Sequence, residues 1–495
     1  MTELLAARIA RQAAANPAAS AVISGRERVD YERFWSKVVR VAAGLGGMRR
    51  VAVLPTSDVE SLVAVTAAMY AGVSVVLLHR HLLPAQLSRV LALAEPGAVV
   101  AAPQQHRRLR RLGYDGIVRT AATLESDGAV GRVEPGAELL VGITSGTSGE
   151  PKLFVRDQRS WATTSDRSDR TFDIGAGDRV SVPGVLDHTH FLYGALHALS
   201  RGATVDLRPV GDALKDGATH LYAVPTIAGD VVRAATGRFG GVREVLSSAA
   251  RWPRTGREAL QEVLPNASLV HFYGASELSF VSFDRGLGST DEKSAGELFH
   301  GVRARVRDGL VYVRSDMLFD GYLTEDGVVG GPVDGWMTVG DRGEVIGNQL
   351  RLFGRDSDML IRAGLNVEPA AVEAALMAIP GVAEAACVGV PDARMGEAPA
   401  AAIVVGAAAP GAEEIWRRLR ATLPSPSMPV QVLVVDSLPR TPRGKLDRAA
   451  LASTLAAHRR GGRAAEADHR PSALRSDGQG LACIGSTDDA PNHVV

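Results

Sequence analysis

From Val51 onward the chain alternates short β-branched runs with alanine-rich helical stretches, and no other feature restricts the fold as much. Val51–Leu54, Val73–Leu78, Ala98–Ala101 and Leu139–Ile143 form a first series. Arg179–Val182, Ala203–Leu207, His220–Val224, Glu244–Ser247 and Leu269–Tyr273 form a second. Strands separated by helix-length segments read as parallel strands with crossover helices. Two series in succession predict an α/β fold of two stacked βα subdomains, whose junction is a natural cleft. From about Ala295 to Phe353 the pattern changes to short, Gly-punctuated strands such as Leu310–Arg314 and Leu350–Phe353. That stretch predicts a small, mostly antiparallel β unit.

A smaller α+β domain is expected from near Gly354. It reads as helix Glu368–Ala378, strands Ala385–Val390 and Ala400–Val405, helix Ala412–Leu423 and strand Gln431–Val435. At about one hundred residues it is near the usual domain size. The expected division is therefore 1–354, 355–456 and a tail at 457–495. Beyond His458 the chain turns to Arg, Gly, Ala, Ser and Asp without apolar periodicity, which predicts disorder.

The 495 residues suit a few domains. Lys plus Arg and Asp plus Glu are both 55, so the net charge is zero. Such a chain has no global field to draw it onto nucleic acid or an anionic membrane. The basic run His106–Arg111 lacks interleaved aromatics and reads as a solvated helix face. Two cysteines, Cys387 and Cys483, make neither a disulfide framework nor a zinc site. The first residues lack the apolar core of a secretory leader; Leu4, Leu5 and Ile9 have helical spacing instead. The longest apolar run, Val63–Leu78, is shorter than the roughly 20 residues a membrane span needs. Gly72 stands in it where a helix should stop before a strand. No membrane span and a cytoplasmic location are expected.

Thr144-Ser145-Gly146-Thr147-Ser148-Gly149-Glu150-Pro151-Lys152 follows the apolar strand Leu139–Ile143. Its glycines let backbone amides turn toward an anion, its hydroxyls offer donors, and Lys152 adds positive charge. It is no Walker A loop, because Gly-Lys-Ser/Thr is missing, and no nucleophile elbow. A flexible Ser/Gly turn would rarely combine so many donors with a lysine.

This segment resembles the phosphate loop of the acyl-adenylate-forming, AMP-binding enzymes, among them acyl-CoA synthetases, peptide-synthetase adenylation domains and firefly luciferase. Five further segments occur in that family's order, through about Leu451. His271-Phe272-Tyr273-Gly274-Ala275-Ser276-Glu277 resembles Y-G-x-T-E, with Ser276 in place of Thr. The resemblance implies that Tyr273 and Gly274 meet adenine, Ser276 the α-phosphate, and Glu277, with Thr144, a Mg²⁺ ion. A hard carboxylate oxygen suits that hard cation. Val339-Gly340-Asp341 resembles T-G-D, whose Asp accepts from the ribose hydroxyls. Phe353-Gly354-Arg355-Asp356-Ser357-Asp358 resembles G-R-x-x-D, whose Arg also reaches the ribose. Met359–Val367, with Gly364, looks like the loop lining the thiol tunnel of CoA ligases. Pro439-Arg440-Thr441-Pro442-Arg443-Gly444-Lys445 resembles P-x-T-x-x-G-K, which carries the catalytic lysine.

The departures are local. Ser247-Ser248-Ala249-Ala250 stands at the adenine-side loop, where relatives usually carry Gly near Ala249; a Cβ there narrows the backbone approach. Ser357 falls at the hinge position, often Asp or Lys in relatives. In His188-Thr189-His190 both imidazoles share one face if the segment is extended. Metal binding would need a third ligand, with Asp187 pointing to the opposite face. The resemblance instead puts His188 beside the acyl pocket. His79 and His81 have no partner motif and are expected to be surface or packing residues.

The implied chemistry is an ATP-dependent acid–CoA ligase, most like bacterial acyl-CoA synthetases. A carboxylate attacks the α-phosphorus of ATP, with Lys445 on the reacting anions, and pyrophosphate leaves. The smaller, mobile domain then swings about Ser357, bringing the Gly364 loop to the cleft, and the CoA thiol displaces AMP. The alternative is a stand-alone adenylating enzyme that serves an external carrier protein or another nucleophile. A catalytically dead nucleotide sensor is disfavoured by the presence of Lys445 and Glu277. Malonyl-CoA synthetases also show an H-x-H pair but tend to carry Arg where Phe272 stands, which favours a monocarboxylic acid, fatty or aromatic.

Overall fold

The computed structural model describes residues 2–80, 82–145, 151–249, 252–291, 293–355, 360–362, 365–392, 396–406, 410–423, 425–441, 444–466 and 483–485. They divide into a larger unit, Met1–Val339 with Glu344–Leu352, and a smaller one, Gly340–Gly343 with Phe353–Val495.

In the larger unit the first strand series forms a parallel array. Arg50–Leu54, buried at every position, lies between Ser74–Leu77 and Val99–Ala101, and Ser74–Leu77 pairs in parallel with Glu138–Ser145. Strands buried on both faces lose the polar alternation of an exposed sheet, which is why these runs are almost continuously apolar. Helix Val59–Ala71 is apolar nearly all round, as a helix enclosed by the core must be. Asp58 caps its start by accepting from the Ser61 amide, and Gly72, at φ 69°, ends it in the left-handed conformation that glycine tolerates best.

The second series is also parallel, in the order Thr204–Asp206, Arg179–Ser181, His220–Ala223, Glu244–Ser247 and Ser268–Ala275. One apolar cluster takes in Val53, Leu62 and Val75 beside Val180, Leu192 and Leu246, so both series share a core. The strands after Ala275 run antiparallel, beginning with Ser279–Arg285 on Ser268–Ala275. The small β unit makes no separate sheet. Ser294–Leu298 extends the second array, whereas Gly321–Thr324 pairs with Pro151–Asp157 of the first.

In the smaller unit Val382–Asp392 and Gly396–Val405 form an antiparallel pair, with Gln431–Val434 parallel to the latter. Helices Pro369–Met377 and Ala412–Thr422 bring Val372, Leu376, Ile415 and Leu419 onto Cys387, Ile403 and Val432. Burial pushes the Cys387 thiol up, so it serves as a core residue.

The expected disordered tail needs correction at two places. Helix Arg448–Glu466 runs past residue 457, and Cys483–Gly485 pairs antiparallel with Gln431–Val434. Alanine and arginine extend a helix without apolar periodicity because their intrinsic helix propensity is high. Edge pairing of a three-residue strand uses backbone groups, which hydropathy does not report. Among the described residues, no helix is long and apolar enough to cross a membrane.

Candidate active site

Strands Glu138–Ser145 and Pro151–Asp157 pair antiparallel up to Thr144 opposite Lys152 and Ser145 opposite Pro151. The described ends of the phosphate-loop segment, Thr144 and Ser145 on one side and Pro151 and Lys152 on the other, thus lie on paired strands. Lys152, an exposed residue, places Nζ 5.3 Å from the centroid of the Tyr322 ring. Tyr322 lies opposite Phe154, which makes it a diagonal neighbour of Lys152 on the paired strands. Its hydroxyl donates to Glu277 Oε1 at 2.9 Å. Lys152 and Glu277, distant in sequence, therefore meet through a tyrosine that motif reading missed.

Glu277 occupies the turn between Ser268–Ala275 and Ser279–Arg285. Its backbone is held as well, since the Phe319 amide donates to the Glu277 carbonyl at 3.0 Å. Gly274 is required by close packing, because a Cβ there would come within 2.2 Å of the Ser279 carbonyl oxygen. Beneath the turn, Ser279 has φ 59°, and its hydroxyl lies 3.0 Å from that of Thr164. Thr164 accepts from buried Arg156, whose pKa burial lowers to about 10. A polar chain thus links the phosphate hairpin to the Glu277 turn. The Glu277 carboxylate is half-buried and oriented by Tyr322, and its hard oxygens fit the implied Mg²⁺.

Ser248 is buried, and Ala249 has φ 75°, a conformation that costs an L-residue about 1–2 kcal/mol. The loop keeps the backbone of a glycine while carrying a methyl group. Ala249→Gly should therefore raise stability by up to about 1 kcal/mol, the strain relieved being partly offset by the added freedom of the unfolded chain. A lower urea midpoint for the variant would show that the strain is absent.

His188 and His190 are not on an extended segment. His188 caps helix Thr189–Ser200, and His190 sits in its first turn. The residue that meets His188 is His79, with Nε2 atoms 3.4 Å apart. His79 is buried, so of the surface and packing alternatives it takes the second, and it shares this contact although no motif marked it. His190 Nε2 pairs with the Ala223 carbonyl at 2.8 Å. Its ring is packed among Phe191, Tyr222 and Phe272 although part of its surface is accessible. That apolar packing lowers its pKa to about 4 and keeps it neutral at pH 7. Phe272 is 2% exposed, with Phe280 at 4.5 Å and Phe172 at 5.8 Å between ring centroids.

In the smaller unit, buried Asp341 opens strand Asp341–Ile346, and Arg355 ends strand Gln349–Arg355. Lys445 is exposed on a tight turn, where the Thr441 amide donates to its carbonyl at 2.7 Å and Gly444 to Thr441 at 2.8 Å. Strands Leu360–Arg362 and Leu365–Val367 pair antiparallel. Gly146, Thr147, Ser148, Gly149, Ser357, Gly364 and His81 themselves lie outside the described residues.

The sequence pattern described as AMP-binding enzyme matches residues 9–323, and that of the AMP-binding enzyme C-terminal domain matches residues 371–445. The chain belongs to the AMP-binding enzyme family. An uncharacterized acyl–CoA ligase of Bacillus subtilis, YhfT, is 35% identical over 336 residues, 64% of this chain and 68% of that protein. VraA of Staphylococcus epidermidis, provisionally named a long chain fatty acid–CoA ligase, is 30% identical over 66% of this chain and 74% of its own. The ATP-bound structure of MatB from Rhodopseudomonas palustris superimposes with a TM-score of 0.83 at 24% identity, over 92% of this AMP-binding enzyme and 99% of MatB. At that identity the likeness establishes the fold.

Proposed function

We propose that this AMP-binding enzyme is an ATP-dependent, AMP-forming ligase joining a monocarboxylic acid, fatty or aromatic, to CoA. Family membership and the acyl–CoA ligase relatives support the acid–CoA ligase class. The observation that carries the residue assignment is the meeting of Lys152 and Glu277 at Tyr322. It joins the phosphate hairpin to the turn holding the acidic residue, as adenylation chemistry requires.

Carboxylate and triphosphate repel each other, so catalysis must come chiefly from positioned positive charge. Lys152 and the amides and hydroxyls at residues 144–149 hold the phosphates, and Ser276 donates to the α-phosphate. Tyr273 and Gly274 meet adenine beside Ser248 and Ala249, and Asp341 and Arg355 bind the ribose. Glu277 and Thr144 would hold Mg²⁺, which would supply positive charge against the phosphates. Lys445 serves the first half-reaction, and the loop containing Gly364 serves the attack of the thiol. Because its co-substrates would be ATP and CoA, the same reading assigns the enzyme to the cytoplasm.

The substrate class rests on Phe272. Enclosed by Phe172, Phe280 and His190, it offers no cation to a second carboxylate. A pyrophosphate-release screen over mono- and dicarboxylic acids, with and without CoA, tests this. Turnover confined to dicarboxylates overturns the substrate class, and nucleotide binding without turnover of any acid favours a sensor. Thioester formation only with a phosphopantetheine-bearing carrier protein identifies the alternative acceptor.

Tyr322→Phe should lower the rate of pyrophosphate release about tenfold, the effect of one partly exposed charge-assisted hydrogen bond of about 1.4 kcal/mol. An unchanged rate in steady-state assays would mean that Tyr322 does not position Glu277.

A further inference from the structure

His79 follows strand Ser74–Leu77, whose neighbour Glu138–Ser145 runs into the phosphate loop. Asp187 and His188 lead into helix Thr189–Ser200. These three residues converge. His79 Nε2 lies 3.4 Å from His188 Nε2 and 3.8 Å from Asp187 Oδ2, and His188 Nε2 lies 4.0 Å from Asp187 Oδ1. All three ligand atoms fall within 4.8 Å of one another. Donors at about 2.0–2.2 Å from a tetrahedral ion are separated by about 3.3–3.6 Å, so the two imidazoles already stand at ligand spacing, and the Asp187 carboxylate closes onto them by an adjustment on the order of an ångström.

The surroundings suit a cation. The Asp187 and His79 side chains are 0% and 3% exposed, whereas His188 is 28% exposed and leaves a way in. A buried carboxylate demands compensating positive charge. The Arg80 amide donates to Oδ2 at 3.0 Å and orients the carboxylate, as partners behind metal ligands do. Arg80 Nε, 3.8 Å from Oδ2, is a competing cation on the same oxygen. Two of the ligands sit at a strand end and a helix start, so the scaffold holds them in place.

We propose that His79, Asp187 and His188 bind a divalent first-row transition ion, Zn²⁺ being the one that fits best. Two imidazoles and one carboxylate favour such an ion over Mg²⁺ or Ca²⁺, which prefer all-oxygen shells. The site is separate from the Mg²⁺ at Glu277. It stands or falls independently of the adenylation reading.

The test uses full-length protein stripped with a chelator and titrated with Co²⁺. Visible absorption of four-coordinate Co²⁺ should saturate at one equivalent, be displaced by Zn²⁺, and survive excess Mg²⁺. His79→Ala, Asp187→Asn and His188→Gln should each weaken binding by at least about 100-fold. Circular dichroism checks folding, and the half-exposed His188 gives the variant least able to disturb the core. No one-equivalent site in the wild type, or an unchanged titration in folded His188→Gln, overturns the proposal.

Discussion

Replacing Lys445 by alanine should slow adenylation by about 10²–10³, the scale of removing one electrostatic contact made in a transition state. Thioester formation from a synthetic acyl-adenylate should remain near the wild-type rate, because the proposed mechanism uses the lysine only in the first half-reaction. The turn carrying Lys445 is closed by backbone hydrogen bonds and its side chain is exposed, so folding should survive the truncation. Gly364→Leu supplies the converse: if Gly364 belongs to the thiol-side loop as proposed, a bulky side chain there should suppress thioester formation and spare pyrophosphate release. Each half-reaction is measured separately in both variants, with circular dichroism as the folding control. Equal loss of both half-reactions in well-folded Lys445→Ala would sink the division of labour between the two segments.

If Asp341 binds the ribose as proposed, Asp341→Ala should weaken ATP binding by about 2–3 kcal/mol through the loss of those charge-assisted hydrogen bonds. Calorimetric titration reads this directly. Because Asp341 is buried, the melting temperature is followed in parallel, and Asp341→Asn, which keeps the shape and loses the charge, separates binding from folding. Unchanged nucleotide affinity in either variant would remove Asp341 from the nucleotide site.

Most of the larger unit's architecture was legible because its strands are doubly buried and its crossover helices regular. Val59–Ala71 with Gly72 and Ser74–Leu77 is the clearest case: an apolar helix, a left-handed stop and a buried strand, each dictated by local residue chemistry. The site was legible only in pieces. Lys152 and Glu277 were visible in their own motifs, but Tyr322 was not, because it joins them through a strand pairing that spans distant parts of the chain. Local patterns do not report the register of such pairs. Ala249 is intermediate: its identity marked a departure, and its φ of 75° disclosed the consequence.

By itself, then, the sequence determined the α/β class, the motif order and the chemical type of each candidate group, since these follow from composition and near-neighbour spacing. Tertiary structure alone decided which groups meet. It drew His188 into a helix cap and brought buried His79 and Asp187 to it, where an extended reading paired it with His190. It also gave Glu277 its tyrosine. The physical reason is that backbone propensity acts over a few residues, whereas burial and strand pairing join segments more than a hundred residues apart, whose contacts leave no periodicity in the chain.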